Sequence, residues 1–229
     1  MVTEARRGNP VSAGRNRPRR PQQKRGVERF EAILDVAHRL LAGRTMSDVS
    51  LYDVAREVGC APATVYHLFP STGALFYALA GRYAEAWMAM LAEERGNDSA
   101  RSWQDIVRRK FAEARAFYDD NPQAMEVYLG LGTTREIRAR DREVNRQLGA
   151  MVATGIRRQF QLPESEFLNE KFVYAIEISD AFWSMSYARH GRITPEIAEE
   201  TLVAVFSYLE NFVPIQLPRI EPATTLVNQ

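Results

Sequence analysis

From Val27 onward, apolar residues recur at three- and four-residue intervals, the spacing of helices that bury one face. In residues 27–42 the stripe is Phe30, Ile33, Leu34, Ala37, Leu40 and Leu41, and Gly43 follows where a helix commonly ends. A second helix is predicted after Ser50, which can cap it. Asp53 favours the positive helix end, and Leu51, Val54, Ala55 and Val58 form the apolar face. Gly59 breaks this helix. A short third helix covers residues 62–68, with Pro62 at a first position where a missing N–H costs little. A fourth covers 72–95 and stops at Gly96-Asn97-Asp98.

The pattern continues to the end of the chain. Ser102 with Asp105 opens a helix that runs to Asn121 with Trp103, Val107, Phe111 and Ala114 on its face. Asn121-Pro122 opens a short one with Met125, Tyr128 and Leu129, broken by Gly130 and Gly132. Thr133 with Glu136 reads as a capping box, starting a helix to about residue 160. Its early charged run (Arg135, Glu136, Arg138, Arg140, Asp141, Arg142, Glu143) reads as a solvated face. Two strongly apolar helices follow, over 164–190 and 195–212. No strand-like alternation is present, so the expected class is all-α with about nine helices.

Composition narrows the chemistry. The chain has 229 residues, enough for one large domain or two smaller ones, and its 45% hydrophobic content suits a folded protein. A single Cys, Cys60, excludes a disulfide framework and a multi-Cys zinc site. His38, His67 and His190 are the only histidines, leaving little for metal or acid–base work. We therefore expect no metal, no cofactor and no enzyme. No apolar run approaches the roughly 18 residues needed to span a bilayer, and the N-terminus lacks a signal-like apolar stretch. The expected location is the cytoplasm, away from membranes.

The net charge of +1 conceals a division. Residues 1–25 hold Arg6, Arg7, Arg15, Arg17, Arg19, Arg20, Lys24 and Arg25 against Glu4 alone, a net of +7, which leaves −6 for residues 26–229. This Pro- and Gly-bearing segment cannot bury enough surface to fold by itself and reads as a disordered basic arm. It is either a solubilising tail or a nucleic-acid arm, since Arg in a flexible segment can enter a minor groove or pair with phosphates.

The spacing within 51–70 is that of a helix-turn-helix. Ala55 is small where two helices approach, Gly59 permits the left-handed turn, and Val65 and Leu68 fall on the inner face of the next helix. The run Ala63-Thr64-Val65-Tyr66-His67-Leu68-Phe69-Pro70-Ser71, followed by Leu75, resembles the DNA-binding segment of the tetracycline-repressor (TetR) family. The resemblance covers about residues 27–80. It implies that Thr64, Tyr66 and His67 face DNA, with Ala61, Pro62 and Ala63 beside them, and that Ser50 and Thr72 meet phosphates. The family usually has Ser where Ala61 stands and Lys where Thr72 stands, so a cap and a charge are missing here. Residues 26–72 sum to −2, and the recognition helix has no Lys or Arg. Phosphate neutralisation drives DNA affinity, so we expect Arg15, Arg17, Arg19, Arg20, Lys24 and Arg25 of the arm to supply much of it.

The expected organisation is an arm over 1–25, a DNA-binding domain over 26–72, a helical body over 73–213 and a tail over 214–229. Candidate cavity residues in the body are Trp87, Trp103, Phe111, Tyr118, Met125, Tyr128, Met151, Tyr174 and Trp183. Glu177 and Asp180 interrupt an apolar stretch. With Glu166, Glu170 and Ser184 they fit a solvated stripe, the alternative being a pocket wall for a cation. On the last two helices Phe172, Ile176, Phe182, Leu202, Val205, Phe206 and Leu209 are either monomer core or, as the resemblance implies, a homodimer interface. The resemblance further implies a double-stranded palindromic operator and a small-molecule effector that releases it. The rival function is a chromosome-organising DNA binder with no effector.

Overall fold

The computed structural model describes residues 17–92 and 100–220. Among them are α1 (Lys24–Leu40), α2 (Leu51–Val58), α3 (Pro62–Leu68), α4 (Thr72–Ala92), α5 (Trp103–Asp120), α6 (Pro122–Leu129), α7 (Arg135–Arg157), α8 (Glu166–His190) and α9 (Pro195–Leu209). The class is all-α. One isolated antiparallel bridge, between Phe160 and Arg219, is the only β feature among the described residues. No described helix is long and apolar enough to cross a membrane.

The chain divides into two units between Arg82 and Tyr83, inside α4, rather than at residue 72. The reason lies in the first turns of α4. Ala74, Leu75, Phe76 and Leu79 are buried, and Arg82 donates to Asp35 Oδ1 (2.5 Å) and to the Leu34 carbonyl (3.2 Å) on α1. Those turns therefore belong to the N-terminal unit.

In that unit the predicted stripe of α1 is buried at Phe30, Ile33, Leu34 and Ala37. Gly59 adopts φ 73°, a left-handed cap that ends α2 and would strain any residue with a Cβ. Val65, Leu68 and Phe69 seat α3 on the core, and Phe69 packs on Phe30 with ring centroids 4.7 Å apart.

The C-terminal unit has a main core of Trp103, Ile106, Val107, Ile156, Phe160, Phe172, Val205, Leu209 and Val213. A second cluster gathers Met125, Leu129, Trp183 and Ile193. The α7–α8 contact depends on Gly149. A Cβ there would come within 2.7 Å of Val173 Cγ2 and 2.9 Å of its backbone nitrogen. Two local expectations shift. The cap of α7 is Thr134, whose side chain accepts from Ile137 N–H, because Thr133 turns its hydroxyl back onto the carbonyls of Val127 and Gly130. Residues 214–220 are not a free tail. Pro214 and Ile215 accept hydrogen bonds from the side chains of Trp103 and Gln104, and the Arg219 guanidinium bonds the Ala100 carbonyl. Residues 221–229 lie outside the described region.

Candidate nucleic-acid interface and internal cavity

The helix-turn-helix is built from capping chemistry. Ser50 Oγ accepts from the Asp53 N–H at 3.1 Å and donates to Asp53 Oδ2 at 2.6 Å, so it starts α2 as predicted. The side chain is exposed, but its hydroxyl is already engaged in this cap. At α3, Ala61 offers no side-chain cap, and Pro62 occupies the first turn in its place. With Val65 and Leu68 buried beneath, Ala61, Pro62, Ala63, Tyr66 and His67 are exposed and Thr64 is half-buried. Tyr66 keeps 51% of its surface in solvent. Thr72 is half-buried in the first turn of α4. The one nearby cation on α2, Arg56, is held by Asp53 at 2.9 Å. The α3 face thus offers a phenol, an imidazole and small side chains, with little positive charge.

The expectation of a disordered arm through residue 25 fails for its last part. Lys24 and Arg25 form the first turn of α1, where the helix starts three residues earlier than the apolar stripe suggested. Before them Gln23 is extended, and the Arg19 N–H donates to the carbonyl of Leu68 at 2.8 Å, at the end of α3. Arg20 lies 6.0 Å from the Phe30 ring centroid. Arg17, Arg19, Arg20, Lys24 and Arg25 are all exposed. Arg15 lies outside the described residues. The missing signal was a backbone one: side-chain pattern does not reveal that a carbonyl at the end of α3 needs a donor.

Inside the C-terminal unit is a cavity of about 380 Å³. Three walls are helical stripes at three- or four-residue spacing: Tyr83, Ala84, Trp87 and Leu91 on α4; Lys110, Phe111, Ala114, Phe117 and Tyr118 on α5; Ile176, Ser179, Asp180 and Trp183 on α8; α7 adds Asp141, Val144, Asn145 and Leu148 and then a near-continuous run from Ala150 to Gly155. Six expected residues therefore meet there: Trp87, Phe111, Tyr118, Tyr128, Met151 and Trp183. Three do not. Trp103 is fully buried in the main core, Met125 is buried in the second cluster, and Tyr174 is 42% exposed and bonds Glu170. The solvated-stripe expectation holds for Glu166 and Glu170, which are exposed, and fails for Asp180. Glu177 sits beside the cavity, sharing the Asn145 amide with Asp180 at 3.1 and 2.9 Å. Asp141 likewise leaves the charged run of α7 to join the wall. Asn145 and Ser179 were missed. Their signal was a polar residue in register with an apolar helical stripe.

The matches with known families follow the same division. The description of bacterial regulatory proteins of the tetR family matches residues 33–79, and that of the tetracyclin repressor-like C-terminal domain matches residues 101–213. The chain belongs to the tetR family. Its helix-turn-helix is accordingly that of a DNA-binding transcription regulator. Solved structures of similar fold include a TetR-family transcriptional regulator from Streptomyces coelicolor, 21% identical over 81% of this chain and 98% of that one, with a TM-score of 0.56. Another is a TetR transcriptional regulator from Rhodococcus sp. RHA1, 18% identical over 83% of this chain and 98% of that one, with a TM-score of 0.61. No curated protein sequence matches. At these identities the structures speak for the fold.

The tetR-family chain carries an unusual electrostatic feature in its cavity. Burial, then the Asp180 and Glu177 carboxylates, push the Asp141 carboxyl up to about 8. Burial pushes Asp180 up to about 7, with Asn145 opposing and Glu177 assisting. The groups facing the pair are Tyr118 of α5, Tyr128 of α6, Arg138 and Arg142 of α7, and Glu177 of α8. Burial and both aspartates hold the Tyr118 phenol well above its usual value. A carboxyl raised on folding binds more protons folded than unfolded, so its effect on stability is unfavourable above its unfolded value. Stability is therefore expected to fall as pH rises from about 4 through 7 to 8. Asp180→Asn, which keeps an acceptor for Asn145, should flatten that fall, by roughly 5 °C in Tm between pH 5 and pH 8. Equal slopes for the two proteins would exclude the pair as the cause.

Of the residues expected at a dimer interface, four are closed off within one chain and Ile176, Phe182 and Phe206 stay half-buried. Phe172, Val205 and Leu209 are at 2%, 0% and 0% exposure within one chain, sealed by the main core, and Leu202 is also buried. Ile176 lines the cavity, Phe182 packs on the second cluster, and Phe206 packs edge-on against Trp103. The large apolar side chains that α8 and α9 leave exposed are Phe167, Tyr174, Met185 and Val203.

Proposed function

We propose that this tetR-family regulator is a homodimeric repressor that binds a palindromic operator and is released by a small molecule. The observation that carries the reading is the pairing of an exposed α3 face with a separate internal cavity in the C-terminal unit. Thr64, with Ala61 and Ala63, presents methyl and hydroxyl groups suited to base edges, while Tyr66 and His67 suit phosphates. The basic residues 17–25 begin beside the end of α3, where they can reach the same duplex. Two copies meeting through Phe167, Tyr174, Met185 and Val203 would read two half-sites about 34 Å apart. A binder without an effector would have no use for the cavity, which favours the ligand-responsive reading over a chromosome-organising one.

Footprinting on DNA upstream of the gene tests the reading. Protection of one palindrome is expected, with half-site centres about one helical turn apart. Tyr66→Ala should weaken binding about tenfold across sequences, and Thr64→Ala should relax base preference within each half-site. Uniform coverage without a preferred site, or no loss on either substitution, would remove the repressor assignment.

A further inference from the structure

The cavity of the C-terminal unit is mostly aromatic and aliphatic, yet two carboxylates stand in its wall, Asp141 from α7 and Asp180 from α8. Neither has an ion-pair partner among the described residues. The donor to Asp180 is the neutral Asn145 amide, itself 3% exposed, at 2.9 Å. The adjacent acid Glu177 differs, because Arg142 Nε lies 3.9 Å from it. The cationic side chains of the wall are Lys110 and Arg158, and the Lys110 ammonium is already held by Glu113 at 2.8 Å. Half-buried carboxylates without an ion-pair partner are costly, and a hydrocarbon filling leaves that cost in place.

A second observation comes from a different group. Trp183, one helical turn from Asp180 on the same wall, is 4% exposed, and its indole N–H has no hydrogen-bond partner among the described residues. A buried indole N–H ordinarily finds an acceptor. Other aromatic rings line the same cavity. Tyr118 meets Trp183 at 90° with centroids 6.0 Å apart, and Trp87 meets Phe117 at 5.1 Å.

We propose that the effector is an organic cation: an ammonium-type group set against Asp141 and Asp180, on an apolar body packed among Trp87, Phe117, Tyr118 and Trp183. The inference rests on the effector reading given above. The positive charge supplies what both carboxylates lack, and the aromatic faces attract it further. An acceptor atom on the same molecule would satisfy the Trp183 N–H. An anion would meet the two carboxylates, and a neutral body would leave them unpaired.

The test uses three probes on the full chain at pH 8: benzyltrimethylammonium, its uncharged carbon isostere neopentylbenzene, and 3-phenylpropanoate. A permanent cation keeps the probe's own titration out of the result. Binding is followed by tryptophan fluorescence. The cation is expected to bind at least about tenfold more tightly than the isostere, with the anion weakest. Asp180→Asn and Asp141→Asn should each reduce that preference about tenfold, in proteins shown to be folded by cooperative thermal melts. Either variant suffices if the other does not fold. The proposal is overturned if the isostere or the anion binds as tightly as the cation, if none of the three binds, or if the preference survives both substitutions. DNA release is scored separately on the upstream fragment. A cation that fills the cavity without releasing DNA would defeat the effector reading and leave the cation site standing.

Discussion

A chain lacking residues 1–20 is expected to lose at least about a hundredfold in operator affinity at about 0.1 M salt, with a log–log salt slope shallower by about 5. The segment carries Arg6, Arg7, Arg15, Arg17, Arg19 and Arg20 against Glu4. Each phosphate contact adds about 0.9 to the slope, so six contacts account for the change. The rest of the reading unit cannot compensate. Residues 26–72 sum to −2, α3 has no Lys or Arg, and Arg56 is neutralised by Asp53. The deletion also removes the Arg19 N–H bond to Leu68 at 2.8 Å, which could loosen the end of α3. A full-length protein with Arg15→Gln, Arg17→Gln, Arg19→Gln and Arg20→Gln keeps that backbone bond and isolates charge. Its slope should fall by about 4. Binding of labelled operator across a salt series reads both proteins. Unchanged slopes would mean that the arm touches no phosphate.

The second large effect is on stability. Trp103→Ala is expected to cost about 3–5 kcal/mol, measured by urea unfolding followed in the far-ultraviolet. Trp103 has 0% exposure in the main core, stacks edge-on with Phe206 at 6.0 Å, and donates its indole N–H to the Pro214 carbonyl at 2.9 Å. Truncation leaves a large void in the core and removes that hydrogen bond. Trp87→Ala removes a ring that already borders empty space, so it should cost markedly less. A Trp103→Ala loss below about 1 kcal/mol would show that the core closes around the gap without strain.

These two tryptophans show how far one dimension carries. Trp87 and Trp103 look alike in sequence, each a large ring on an amphipathic helix. Which of them borders the cavity depends on the packing of neighbouring helices, and the chain's periodicity does not encode that. Asp141 and Asp180 make the same point. Each sits in a stretch whose local reading is a solvated charged face. Both are half-buried in the cavity wall, on the two helices that pack closely at Gly149.

What the sequence determined by itself was what local chemistry controls: the helices, from three- and four-residue spacing; most of their ends, from Ser50, Gly59, Ser102 and Pro122; and the helix-turn-helix, from the spacing of Ala55, Gly59, Val65 and Leu68. The imbalance of charge between the first 25 residues and the remainder was equally legible, because charge needs only counting. The tertiary structure decided the rest. It drew residues 17–25 onto the reading unit through a backbone hydrogen bond, moved the unit boundary into α4, and sealed Phe172, Val205 and Leu209 within one chain. It also brought two acids from separate helices to one aromatic cavity. Each of these results comes from contacts between residues far apart in the chain. A helix repeats every 3.6 residues whatever it packs against, so its sequence specifies that a face is buried and leaves the partner of that face to the fold.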